Sequence, residues 1–457
     1  MQKRQRVTFD GCIPRMVASV FEVCPKADFS RMRVVRDMHG RLYLVVPDDW
    51  SDEALVAVRQ RLRETLGPYS PGEDSGVGRC SDTLAGEALF REPSLMYWVG
   101  DTGVKVVERR AMGQDWVHQP ASEREAHCPR LVFHSLKGGV GRSTAMMLWG
   151  RELVRQGRTV LLVDLDLEAP GLGAHMLPVD SRPDYGVLDW LVEDLVGNAG
   201  PDLTREMVAE SPLAESPGLW VAPAVGRRTM DHPDNVLAKL ARAYLEGEDG
   251  SGFAARLRRM IAELEAQVRP EVVLIDSRAG LHETVAATLL HLQAEVFFFA
   301  VDVPATWEGY RYLFGHLSRL ASAHEAPWGV GDWRQRFHMV QARSGMREAD
   351  KRRFASNAYG VWVDTLYDEL PPISESTEED ELSPAMPPGE EEWAFTFDEQ
   401  DPEGPHWPLA ILRSDHFEAF NPMEQLAEVG EHAIREAFGE FFQGLEAVLS
   451  LQEEANR

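Results

Sequence analysis

Residues 131–144 read LVFHSLKGGVGRST, and the reading of this stretch decides the fold. Residues 131–134 are an apolar run of strand length. Gly138, Gly139 and Gly141 follow, with the freedom to turn successive backbone N–H groups inward around an anion. A helix beginning at about Ser143 aims its positive end at the same point. Gly138, Gly139, Val140, Gly141, Arg142, Ser143 and Thr144 are therefore the expected contacts to a bound phosphate chain, and the hydroxyl of Ser143 sits where Mg²⁺ is usually held. A second apolar run at residues 159–164 completes a strand, loop, helix, strand unit of parallel sheet.

Working outward, further apolar runs bounded by turns lie at residues 219–223, 271–276, 294–301, 337–341 and 407–412, with helix-like stretches between them. The expected fold class is α/β, a mostly parallel sheet flanked by helices. The run LLVDLDLEAPGLG, residues 161–173, ends its strand with Asp164 and Asp166, and EVVLIDSRAG, residues 271–280, presents Asp276 at a strand end. Carboxylates suit a hard cation such as Mg²⁺, and the carboxyl edge of a parallel sheet is where ligands bind. Arg278 follows Asp276 closely, as a structural salt-bridge partner or a phosphate sensor.

The loop resembles the deviant Walker A motif of the MinD/ParA ATPases, K-G-G-x-G-K-[ST], in the variant form KGGVGR found in bacterial proteins. The resemblance covers residues 130–345 and 407–450. It implies a P-loop NTPase domain that binds ATP and Mg. Lys137 matches the signature lysine that reaches a second subunit's nucleotide, while Arg142 stands where the family has its phosphate-gripping lysine. Asp164 matches the carboxylate supporting the metal shell, Asp166 the one that orients the attacking water, and Asp276 the Walker B aspartate; Ser143, Asp164 and Asp276 form the implied metal set. The catalytic trio is then Lys137, Arg142 and Asp166. Residues 341–344 and 412–415 end strands where relatives contact the base. The function implied is a nucleotide-dependent homodimeric switch with slow ATP hydrolysis, in a bacterial regulatory or defence setting; the alternative is a scaffold that holds nucleotide without hydrolysing it.

Residues 1–125 read as a smaller N-terminal α+β domain. A hairpin is expected at residues 32–46, turning at His39 and Gly40, then a helix at residues 51–66 capped by Ser51, then a strand pair at residues 95–109. Residues 114–129 form an expected linker. The P-loop domain occupies residues 130–367, an acidic, proline-rich insertion residues 368–405, and the last strand with a closing helix residues 406–457. The helix, over residues 431–451, carries Ile434, Phe438, Phe441 and Leu445 on an apolar face and glutamates opposite, the reverse of a basic membrane-surface helix. A protein partner is expected to bind the N-terminal domain or the acidic insertion.

The formal charge of −27 opposes attraction to phosphate backbones and anionic lipid, so neither nucleic acid nor membrane is an expected partner. No apolar run reaches membrane-spanning length and the first residues lack a signal-peptide pattern, which makes a cytoplasmic location the expectation. Cys12, Cys24, Cys80 and Cys128 form no C-x-x-C pair and read as reduced, structural thiols.

Overall fold

The computed structural model describes residues 6–72, 76–84, 86–110, 113–118, 128–247, 250–323, 332–369 and 394–455. The chain divides into two compact units, Met1–Pro120 with His316–Trp328, and Ala121–Gly315 with Gly329–Arg457. Sequence order alone had left residues 316–328 with the second.

The first unit is built on β1 (Arg33–Arg36), β2 (Leu42–Val46), β3 (Val77–Arg79), β4 (Leu95–Val99) and β5 (Thr102–Glu108). Their spatial order is β3-β2-β1-β5-β4, with β1 to β2 and β4 to β5 as the two expected antiparallel hairpins and β1 to β5 parallel. The helix Asp52–Leu66 forms as expected, because the Ser51 hydroxyl accepts the Ala54 N–H at 3.2 Å and satisfies one orphan donor of the first turn. Ser51→Ala should therefore cost about 1 kcal/mol, read as a shift of the first unit's urea midpoint with unchanged slope.

A second helix, Phe9–Val23, was not anticipated, since Gly11 and Pro14 both argue against helix at residues 9–23. Tertiary packing overrides them. Ile13, Met16, Val17 and Val20 are buried with Leu55, Val58 and Leu62 over Val34, Leu44 and Val106, forming one continuous core. Of the expected linker, Gln114–Trp116 is a 3-10 turn with Trp116 buried, and residues 119–127 lie outside the described residues.

The second unit contains β6 (Arg130–Ser135), β7 (Val160–Asp164), β8 (Ala209–Glu210), β9 (Leu219–Ala222), β10 (Val272–Asp276), β11 (Glu295–Ala300), β12 (Phe337–Ser344) and β13 (Leu409–Leu412). They lie in the order β13-β12-β11-β6-β10-β7-β9-β8. Every pairing is parallel except that of the two-residue edge strand β8 with β9. Strands β6, β7, β10 and β11 are buried along their whole length, as a sheet covered on both faces requires.

The closing helix is longer than expected, Pro422–Ala455, and is broken at Gly430, whose φ is 71°. Beyond that break Phe438, Phe441 and Leu445 join Phe133, Phe297 and Phe299 in the core. The acidic side of the helix is also occupied, because Glu431 accepts from Arg151 and Arg155, each at 2.6 Å, and Glu446 from Arg158 at 3.3 Å. The helix thus belongs to its own unit.

Residues 370–393 of the acidic insertion lie outside the described residues, but its end is not a solvated loop. Phe395 is buried against Tyr367, and its N–H donates to Asp368, which also accepts from Arg334. Among the described residues no helix is long and apolar enough to cross a membrane.

Candidate functional site

Parallel pairing brings the ends of β7, β6 and β10 to one edge of the sheet, with β10 in the middle; Asp276 pairs in register with Asp164 on one side and with Phe133 on the other. From Ser135 the chain enters the glycine loop. Gly139 and Gly141 take φ of 73° and 91°, a backbone region that a side chain would strain, and the helix Arg142–Arg155 starts immediately after. Its first residue is Arg142, one position before the expected start. Gly141 is the N-cap and offers no side chain, so the first-turn N–H groups have no side-chain cap.

The loop is braced from two sides. The Ser135 hydroxyl donates to the Lys137 carbonyl at 3.0 Å, and Arg343 donates to the Gly139 carbonyl at 2.5 Å. Lys137, Gly138 and Gly139 are exposed. Beside the loop lies a pocket lined by Val140, Gly141 and Thr144 on one side and by Arg343, Arg413 and Phe417 on the other. The ends of β12 and β13 therefore border the same pocket as the loop.

Arg142 is the unexpected part. Its guanidinium, 8% exposed, is engaged by the carboxylates. Nε donates to Asp276 Oδ1 at 2.5 Å, Nη2 to Asp166 Oδ2 at 3.2 Å and Nη1 to the Ser135 hydroxyl at 3.2 Å. The other oxygen of Asp276 accepts from Ser143 Oγ at 2.5 Å. Burial works against the charge of Arg142, but Asp276 and Asp166 outweigh it and hold the guanidinium protonated above its ordinary value. Burial likewise raises Asp166, opposed by the nearby Arg142.

Asp164 is fully buried and serves the backbone. Its Oδ1 accepts the Asp166 N–H at 3.1 Å, and its Oδ2 accepts those of Gly171 and Leu172 at 3.1 and 3.0 Å, so it fixes the shape of the segment after β7. Burial first, and the charge of Asp276 second, push its pKa up to about 7. Arg278 is ion-paired with Glu168, which also accepts from the Tyr244 hydroxyl at 2.7 Å, and so joins the same segment to the end of β10.

The structure thus brings together Arg142, Ser143, Asp164, Asp166 and Asp276, while Lys137 is exposed on the loop. Sequence reasoning gave Ser135 no role and took Arg343 only as part of the strand end at residues 341–344. Ser135 lay inside the decisive stretch, but a serine ending a strand carries no mark of its role. Arg343 has a φ of 56°, which no local pattern announces.

No family model matches the chain, and no curated protein matches it. Among solved structures it is similar to the cell division ATPase MinD of Pyrococcus furiosus, at 18% identity over 70% of this chain and 99% of that one, with a TM-score of 0.38. It is similar to a ParA family ATPase from Chlorobium tepidum, at 16% identity over 51% of this chain and 80% of that one, TM-score 0.33. A third is cobyrinic acid a,c-diamide synthase from Mycobacterium smegmatis with bound ADP and magnesium, at 20% identity over 52% and 80% of the two chains, TM-score 0.33. ATPases of the ParA/MinD family are thus among the structural neighbours of the chain.

Proposed function

We propose that the chain is a nucleotide-dependent dimeric switch that binds ATP at residues 137–144, hydrolyses it slowly and couples the bound state to a protein partner. The observation supporting this reading most directly is the set of strand-end carboxylates, Asp164, Asp166 and Asp276, gathered at the first turn of the helix that follows a glycine loop. A triphosphate would lie along the N–H groups of residues 138–144, with its base in the pocket beside Arg343, Arg413 and Phe417.

Lys137, exposed on the loop, is the residue this reading extends to the nucleotide of a second copy. Asp166 orients the water for in-line attack, and the loop N–H groups bear the charge developing on the phosphoryl oxygens. The resemblance implies Mg beside Ser143, Asp164 and Asp276. As arranged, the two carboxylates do not fit a divalent cation: Asp276 accepts from Arg142 and Ser143, and Asp164 from three backbone N–H groups. No step is therefore routed through a metal. Partner binding falls to residues 1–125 and the acidic segment 368–405.

Lys137→Ala should weaken ATP-dependent dimerisation by about tenfold or more, equivalent to roughly 1.4 kcal/mol, as read by light scattering over a concentration series. Unchanged dimerisation with unchanged turnover would remove the switch. The second reading, a scaffold that retains ATP, is favoured by one observation, the engagement of Asp166 and Asp276 by Arg142. Single-turnover hydrolysis separates them, since product release dependent on Asp166 supports the switch and persistent bound ATP supports the scaffold.

A further inference from the structure

We propose that Arg142 acts as a built-in cation in place of a divalent metal, so that this chain binds a nucleoside triphosphate without requiring magnesium. The proposal rests on the nucleotide-binding reading of the loop and adds how the charge of that site is balanced.

The argument begins with the shape of the side chain. A lysine ammonium is a point charge, whereas a guanidinium is a planar fork that can serve separate acceptors at once and does not lose its proton. Arg142 uses all three nitrogens, on Asp276, Asp166 and Ser135. Two carboxylates from different segments are thereby drawn onto one cation, inside a site only 8% open at that side chain. A divalent ion is the usual device for this task, and here the protein supplies the charge covalently.

The second step concerns the groups that would otherwise hold the ion. Ser143 gives its hydroxyl proton to Asp276 Oδ2, and Asp276 Oδ1 is held by Arg142. The cation that already sits against the carboxylate expected beside a metal is thus the arginine. Mg²⁺ keeps several waters and near-octahedral geometry. Admitting it would require moving the guanidinium, or burying two cations side by side, which is unfavourable where the dielectric is low.

The third step is the charge left for the ligand. Arg142 is committed to the carboxylates, but other cations stand where a triphosphate would lie. Arg343 is held against the Gly139 carbonyl at the edge of the loop, and Lys137, exposed on the loop, is the cation that a second copy would bring to this site. Together with the uncapped first turn of the helix Arg142–Arg155, they balance a phosphate chain with no metal between it and the protein.

The test uses the full chain and a fluorescent ATP analogue, titrated in excess MgCl₂ and again in excess EDTA. The expected result is a wild-type affinity that agrees within about threefold between the two buffers. Arg142→Lys, which cannot bridge both carboxylates, should bind at least about tenfold more weakly in EDTA than in magnesium. A wild-type affinity that falls tenfold or more in EDTA overturns the proposal, whatever the variant does, so the outcome does not depend on the variant folding. Wild-type binding that is tight in magnesium thus sinks this inference alone when it is lost in EDTA. Absence of binding in both buffers sinks the nucleotide reading and this inference with it.

Discussion

Glu265→Ala should lower the unfolding free energy of the second unit by about 3–5 kcal/mol, seen as an earlier denaturant midpoint for that unit. Glu265 lies in the helix Phe253–Val268 and faces Arg130, the first residue of β6. The two form a bidentate pair, Nε to Oε1 at 2.6 Å and Nη2 to Oε2 at 2.8 Å, with both side chains at most 4% exposed. Arg130 also donates to the Leu292 carbonyl at 3.2 Å, so its guanidinium cannot swing out to water without abandoning a second bond. Truncating the glutamate strands that buried charge at the start of the strand leading into the glycine loop. The pair itself need not be net stabilising, because two desolvated charges offset much of their attraction. A double replacement, Glu265→Leu with Arg130→Met, should therefore recover most of the loss. A single-variant loss under about 1 kcal/mol would show that water reaches the pair.

The same contact fixes the chemistry of Cys128. Burial, then the charge of Glu265, push its thiol up to about 12, so at neutral pH it stays protonated and should resist alkylating reagents until the chain unfolds. A mass measurement after iodoacetamide treatment of the folded chain checks this. The expected outcome is no label on Cys128, and rapid labelling of the native protein would contradict it.

Much of the second unit was legible because parallel strands buried on both faces appear as unbroken apolar runs, and because glycines and terminal aspartates punctuate them at fixed places. The spatial order of β6, β10 and β7 was not legible in this way and comes from the pairing itself. What stayed hidden is tertiary. The helix Phe9–Val23 contains residues that disfavour helix locally and is held by its apolar face. Strand β8 has two residues, too few for any periodicity. The packing of Phe395 on Tyr367 joins positions on either side of a strongly acidic segment. The direction of the Arg142 side chain is of the same kind. Its position in the loop was evident, but whether a long cation turns toward ligand or toward carboxylates depends on the distance between strand ends, which only register sets.

That direction governs the largest activity effect. Asp166→Ala should reduce single-turnover ATP hydrolysis by about 100-fold or more, the usual scale for removing a positioned proton acceptor, while nucleotide affinity is held or improved. The two halves of this expectation come from different contacts. Asp166 stands at the carboxyl edge of the sheet, 16% exposed, with its backbone N–H anchored on Asp164 and one oxygen on Arg142. It is the least buried of the three carboxylates, so it is the one able to meet a water beside the terminal phosphate. Affinity should survive because the change removes a negative charge from the phosphate's surroundings and releases one arm of Arg142, which keeps its bond to Asp276. Asp276→Ala is the contrasting variant. It leaves Arg142 and Ser143 without their shared acceptor, and affinity and stability should fall together. Hydrolysis in Asp166→Ala at the wild-type rate would remove Asp166 from the reaction, and a parallel loss of affinity would mean that it works by holding Arg142 in place.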